Sequence, residues 1–263
     1  MLDVIAVCVE QTKNLYYLSP NSLELKVGDS IVFDSENGLL LGRICKGPYK
    51  EKQDRLDLPL GKALRVATKE DFSKFEKNRE QAEKALAEAK KLSKSLELDM
   101  NFVEAYYSLD NSQLIFLFLS ENRVDFRELA KKLAAKYKTR IELRQVGVRD
   151  KAKKIGGLGP CGLFLCCNSF LTDFNSVSIN MAKNQMLALN PTKINGICGR
   201  LLCCLSYEND TYTEMKKDLP KIGLIADTPM GMGKVVSVDI FNKTYSVDLK
   251  DQGIVKFSKD DEK

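Results

Sequence analysis

Six of the eight cysteines lie between positions 161 and 204, and they form two copies of one pattern. Cys161-Gly162-Leu163-Phe164-Leu165-Cys166-Cys167 and Cys198-Gly199-Arg200-Leu201-Leu202-Cys203-Cys204 both read C-G-x-x-L-C-C, offset by 37 residues. Thiolates are metal ligands, and intracellular cysteine clusters lean toward metal binding or catalysis. A gap of four residues between cysteines recurs in iron–sulfur loops of the plant ferredoxin kind, and structural zinc sites more often use two to four. Glycines before the first copy (Gly156, Gly157, Gly159) and the second (Gly196) let backbone approach a ligand and turn N–H groups toward it. Adjacent cysteines seldom both bind one iron. Each copy is therefore expected to give its first cysteine and one of the pair: Cys161 with Cys166 or Cys167, and Cys198 with Cys203 or Cys204. The bland alternative is six buried thiols beside core leucines, which duplication at fixed spacing disfavours.

Histidine is absent from the 263 residues. That removes histidine bases, histidine-activated nucleophiles and histidine metal ligands. No G-x-G-x-x-G fingerprint follows a strand, and no phosphate loop is present. A flavin or thiol oxidoreductase using a vicinal cysteine pair is thus the weaker alternative to a non-catalytic adaptor, and a zinc-binding adaptor is the other. No apolar run approaches the roughly 18 residues of a membrane helix, and Met1-Leu2-Asp3-Val4 lacks the basic start of a secretory signal. The expectation is a cytoplasmic protein whose cysteines are thiols, not structural disulfides. Cys8 and Cys45 fall in expected strands and are read as core residues.

The net charge of +5 is unevenly spread. Residues 131–154 hold ten basic side chains, among them Lys131, Lys136, Arg140, Lys151, Lys153 and Lys154, against Glu142 and Asp150. That segment is +8, which leaves −3 for the rest of the chain. Such a patch suits RNA or an acidic protein partner, or is simply a solvated face. Tyr137 is its only aromatic, few for base stacking, which favours the protein.

The elements that must position the cysteines read as an α+β protein. Residues 1–67 are a small β-rich, barrel-like part: runs at 4–9, 14–18 and 30–33, a turn at Asn37-Gly38, and a return at 39–44 that Gly47-Pro48 breaks before a polar connection to 60. Residues 68–149 are a long helix and an antiparallel, ferredoxin-like α+β layer. The helix starts at Thr68 with Asp71 as a capping partner. Its stripe of Phe72, Phe75, Ala82, Leu86, Ala89, Leu92 and Leu96 is expected to pack on a sheet, not to form a coiled-coil seam. Strands at 102–109 and 113–119, a helix at 125–137 and a strand at 140–148 complete the layer. The cysteine-rich segment is 150–220, with Asn190-Pro191 as a break. Residues 221–263 form a second small β-rich, barrel-like part ending in a polar tail from 258.

The run from Val146-Gly147-Val148-Arg149-Asp150 through Lys154-Ile155-Gly156-Gly157-Leu158-Gly159-Pro160-Cys161-Gly162, then Cys166-Cys167, Met181-Ala182-Lys183-Asn184-Gln185, Asn190-Pro191, Lys193-Ile194-Asn195-Gly196, Cys198-Gly199-Arg200-Leu201 and Cys203 to Tyr207, resembles the bacterial RicT (YaaT) family. That family shares a region with the C-terminal part of the yeast polymerase-suppressor protein. The resemblance extends over nearly the whole chain and is most specific from 146 to 207. It implies a complex with small helical proteins similar to RicA and RicF, carrying an iron–sulfur cluster (of the 4Fe-4S type) and FAD. It further implies a specificity factor for ribonuclease Y in messenger RNA maturation, bearing on sporulation, competence and biofilm formation. By resemblance the cluster ligands fall on Cys161, Cys166, Cys167, Cys198 and Cys203; Cys204 fits the repeat as a sixth cofactor-binding position.

Overall fold

The computed structural model describes residues 1–10, 14–53, 56, 59–172, 174–250 and 252–258. Two compact units emerge: Met1–Gly157 with Cys167–Thr172, and Leu158–Cys166 with Asp173–Lys263. In the first, β1 (Leu2–Val9), β2 (Asn14–Ser19), β3 (Ser30–Ser35), β4 (Gly38–Glu51) and β5 (Gly61–Val66) close a barrel in the order β1-β2-β5-β3-β4. Ile5, Val7, Val9, Ile31, Phe33, Leu40 and Ile44 fill its interior.

Three expectations are corrected here. Gly47-Pro48 does not end the strand. The β1–β4 register jumps from Ala6↔Lys46 to Val4↔Tyr49, so Gly47 and Pro48 lie in a bulge, where proline's missing N–H breaks no ladder bond. Residues 61–66, read as lying beyond a connection, are the closing strand, parallel to β2 and antiparallel to β3. Only Ala63 in β5 is buried, so it carries little strand signal. Cys8 and Cys45 are not core residues. Alternation turns Val7 and Val9 inward and Cys8 outward, and the two exposed cysteines are joined by a disulfide.

Helix α1 (Lys69–Ser95) starts as read: Thr68 and Asp71 form a capping box. Phe75, Ala82, Ala85 and Ala89 are its buried apolar residues, and Phe72 is left exposed. Ala82, Ala85 and Ala89 pack on the sheet β6 (Asn101–Tyr107), β7 (Gln113–Leu119) and β8 (Arg140–Gln145), where Phe102, Leu114, Phe116 and Phe118 meet Leu129 and Leu133 of α2 (Arg127–Tyr137), while Phe75 packs with Val32 and Leu41 of the barrel and with Leu109. The sheet is mixed: β6–β7 is an antiparallel hairpin, but α2 carries the chain back so that β8 lies parallel beside β7. The last strand stops at Gln145, because Gly147 and Asp150 cap α3 (Val148–Ile155).

Asp71 is 5% exposed and accepts two guanidinium hydrogen bonds from Arg65, at 2.5 and 2.8 Å, besides those from Thr68. Arg65 above all holds its carboxyl well below the usual range. A depressed folded pKa gives stability that is present above the unfolded value of about 3.9 and lost as pH falls through the folded one. Asp71→Asn is expected to cost about 2 kcal/mol at pH 7, since Arg65 is half exposed and its attraction is screened. Urea unfolding followed by circular dichroism should show that gap closing below pH 3.

In the second unit, β9 (Ile225–Thr228), β10 (Gly231–Asp239), β11 (Thr244–Leu249) and β12 (Gly253–Ser258) form an open antiparallel sheet in the order β12-β11-β10-β9. Ser258, read as the start of a polar tail, is the last residue of β12, and the rest of that tail, 259–263, lies outside the described residues. Short helices α4 (Cys166–Ser169), α5 (Ile179–Asn184) and α6 (Pro191–Ile194) precede the longer α7 (Cys203–Lys216). Asn190-Pro191 starts α6 instead of breaking the chain: Asn190 is the N-cap and Pro191 occupies the first helical turn. Among the described residues no helix is long and apolar enough to cross a membrane.

Candidate functional site

The two cysteine copies fold alike. Counting from the first cysteine of each, residues −3 and +3 form a bridge: Leu158↔Phe164 and Asn195↔Leu201. The N–H at −2 donates to the carbonyl at +2, at 2.8 Å for Gly159 to Leu163 and 2.9 Å for Gly196 to Arg200. The N–H at +1 donates to the carbonyl at −2, Gly162 to Gly159 at 3.0 Å and Gly199 to Gly196 at 2.9 Å. Each copy is thus a tight hairpin with its cysteine in the turn. The following glycine sits at φ 79° or 76°, a left-handed position that a hairpin of this kind needs. The glycine before each cysteine has its own purpose. A Cβ at 159 would lie 3.4 Å from Cys161 Sγ, and one at 196 would lie 3.7 Å from Cys198 Sγ, so both sulfurs fold back over their glycines.

Each hairpin leads into a helix whose first residue is the next cysteine, Cys166 for α4 and Cys203 for α7. Helix α7 is well anchored. Leu205 packs with Ala182 of α5, Ile194 of α6 and Leu201 and Leu202 of the hairpin. Gln185 donates to the Leu205 carbonyl at 2.7 Å, and Asn184 donates to Asn209 at 3.2 Å and Thr213 at 3.0 Å. Lys216 Nζ donates to the Asn184 backbone and side-chain oxygens. The Met181-Ala182-Lys183-Asn184-Gln185 run therefore locks α5 to the cysteine-bearing helix.

Thiols from both copies act on one another electrostatically in this unit. Burial pushes the Cys204 thiol up to about 11, and Cys166, Glu208 and Cys161 add to the shift. The Cys166 thiol is raised too, first by burial, then by Cys161 and Glu208. The charged neighbours acting on Cys204 are all acidic. Glu208 escaped the sequence reading; its signal was the four-residue step from Cys204, which puts both on one helix face. Cys198 lies half-buried in the second hairpin, and Cys203 opens α7. Cys167 is buried, at 7% exposed.

Among the described residues no three His, Cys, Asp or Glu side chains are grouped to hold one metal ion. Zinc needs all its sulfurs about 2.3 Å from a single point. An iron–sulfur cluster spreads its cysteines over several irons.

The class this fold and site define is that of PSP1-like proteins. The PSP1 C-terminal conserved region matches residues 61–146, from β5 to the end of β8, and the third domain of PSP1-like proteins matches 176–219, from α5 through α7. The chain is 43% identical over 249 residues to the stage 0 sporulation protein YaaT of Bacillus subtilis (strain 168), spanning 95% of this chain and 90% of that protein, and it belongs to the same family. The resemblance read from residues 146–207 is borne out. No solved structure matches.

Proposed function

We propose that the chain is a cytoplasmic, non-catalytic regulatory adaptor that holds an iron–sulfur cluster at a protein assembly site. The observation that carries this reading is the duplicated hairpin that seats a cysteine in the same turn of each copy and leads into a helix that starts on the next cysteine. Cys161, Cys166 and Cys204, with Cys198 and Cys203, would hold the cluster, which supplies a redox-sensitive link between the copies. The hairpin glycines seat the first cysteines, and the Asn184, Gln185 and Lys216 contacts keep α7 in register with them.

The relative's name supports a part in controlling sporulation. By family resemblance the partners are small helical proteins similar to RicA and RicF, and the adaptor directs ribonuclease Y in messenger RNA processing. Leu163 and Phe164 are each 71% exposed on the first hairpin, a surface suited to a protein partner. The basic segment favours RNA less than its composition implies. Lys132, Lys136, Arg144 and Lys154 hold Glu128, Glu88, Glu142 and Glu104, and Lys153 is buried against Asn14.

The test is anaerobic purification, with and without partners. Brown protein containing iron and acid-labile sulfide is expected. Colourless protein with stoichiometric zinc would sink the iron–sulfur reading and support a zinc-holding adaptor.

A further inference from the structure

The barrel carries a second arrangement of thiols, and the cluster proposal does not use it. Cys8 of β1 and Cys45 of β4 are both exposed on its outer face, with Cα atoms 6.0 Å apart, inside the range a disulfide spans. The pairing is built by a backbone irregularity. The β1–β4 register runs Cys8↔Arg43, Val7↔Ile44 and then Ala6↔Lys46, so Cys45 is the extra residue of a bulge. Bulges re-aim side chains, and this one brings Cys45 to the face that Cys8 already occupies. Arg43 stands directly across from Cys8, and Lys46 follows Cys45. Both residues are exposed, which lets a small disulfide reach them. The barrel does not depend on the bond, since β1 and β4 already share a ladder and a packed interior.

We propose that Cys8 and Cys45 are a reversible dithiol–disulfide site that exchanges with low-molecular-weight disulfides. The Cys8 thiolate attacks one sulfur of the small disulfide RSSR. A protein–SR mixed disulfide forms and one RS⁻ leaves. The Cys45 thiolate then attacks the Cys8 sulfur, closing the protein disulfide and expelling a second RS⁻. The two thiol protons go to the two leaving thiolates, so two protein thiols and RSSR become one protein disulfide and two RSH. In a reducing compartment such a bond is transient and redox-sensing, not structural, and exposed disulfides are the labile ones.

The test is a titration of the full chain in reduced and oxidised glutathione buffers, quenched with an alkylating agent and read peptide by peptide by mass spectrometry. The expected result is that the Cys8 and Cys45 peptides lose alkylation together as the buffer becomes oxidising and regain it in millimolar reduced glutathione. In Cys8→Ser, Cys45 should instead accumulate as a glutathione mixed disulfide, with an unchanged circular dichroism spectrum. Two results overturn the proposal: both cysteines remaining alkylatable in oxidised glutathione, or the pair staying linked in reduced glutathione. Should Cys8→Ser misfold, the unsubstituted chain still decides between these outcomes.

Discussion

Cys204→Ser is expected to strip the iron from anaerobically purified protein by at least about tenfold, while Cys167→Ala keeps it. Altering residues that merely orient ligands costs about 10- to 100-fold in metal affinity, and loss of a ligand costs no less. The two cysteines occupy the same position in their copies, so the sequence alone gives no ground for treating them differently. Their surroundings differ. Cys204 is in the first turn of α7, where Cys166, Glu208 and Cys161 act on its thiol, whereas Cys167 is buried. Iron and sulfide per chain would be measured with circular dichroism as a folding check. Retention of iron in Cys204→Ser together with its loss in a folded Cys167→Ala would return the assignment to the one the family resemblance implies.

What the sequence revealed and what it hid follow a physical division. Local signals were legible. Thr68 and Asp71 satisfy each other's backbone within one turn, and the two glycine–cysteine hairpins repeat because the same turn needs the same residues. Non-local ones were not. Strand β5 is recognised only by its partners β2 and β3, and Pro48 is tolerated only because β1 skips a register opposite it. Strand β8 could be read as a strand, but its parallel direction comes from where α2 delivers it. The same limit governs the site. Motif spacing pointed to six cysteines, and the relation of Glu208 to Cys204 required knowing that α7 continues beyond the motif.

That continuation makes the second expected effect reach the site from a distance. Gly233 in β10 is buried, and a Cβ there would lie 2.5 Å from the Asp248 carbonyl oxygen, 2.5 Å from Val247 Cγ1 and 2.8 Å from Leu249 Cδ2. A side-chain tip can rotate away, but the carbonyl belongs to the neighbouring strand β11 and can move only with its ladder. A glycine inside a strand commonly marks such a close backbone approach. Gly233→Ala should therefore cost about 3 kcal/mol, at the upper end of overpacking penalties. The sheet it distorts supports α7: Tyr212 and Met215 pack against the core of Val235, Tyr245 and Val247, and the Tyr212 ring meets Phe241 edge-on at 5.3 Å. Loosening β10 from β11 frees the helix that presents Cys203, Cys204 and Glu208, so iron content should fall along with the thermal midpoint. Gly231→Ala is the matched control. Its φ of 114° penalises a side chain, but nothing lies within 4 Å of the new Cβ, so the cost should stay near 1–2 kcal/mol. Equal melting of Gly233→Ala and the unsubstituted chain would show that the β10–β11 approach is not a constraint. Lower melting with full iron retention would show that the cysteines are held without the sheet.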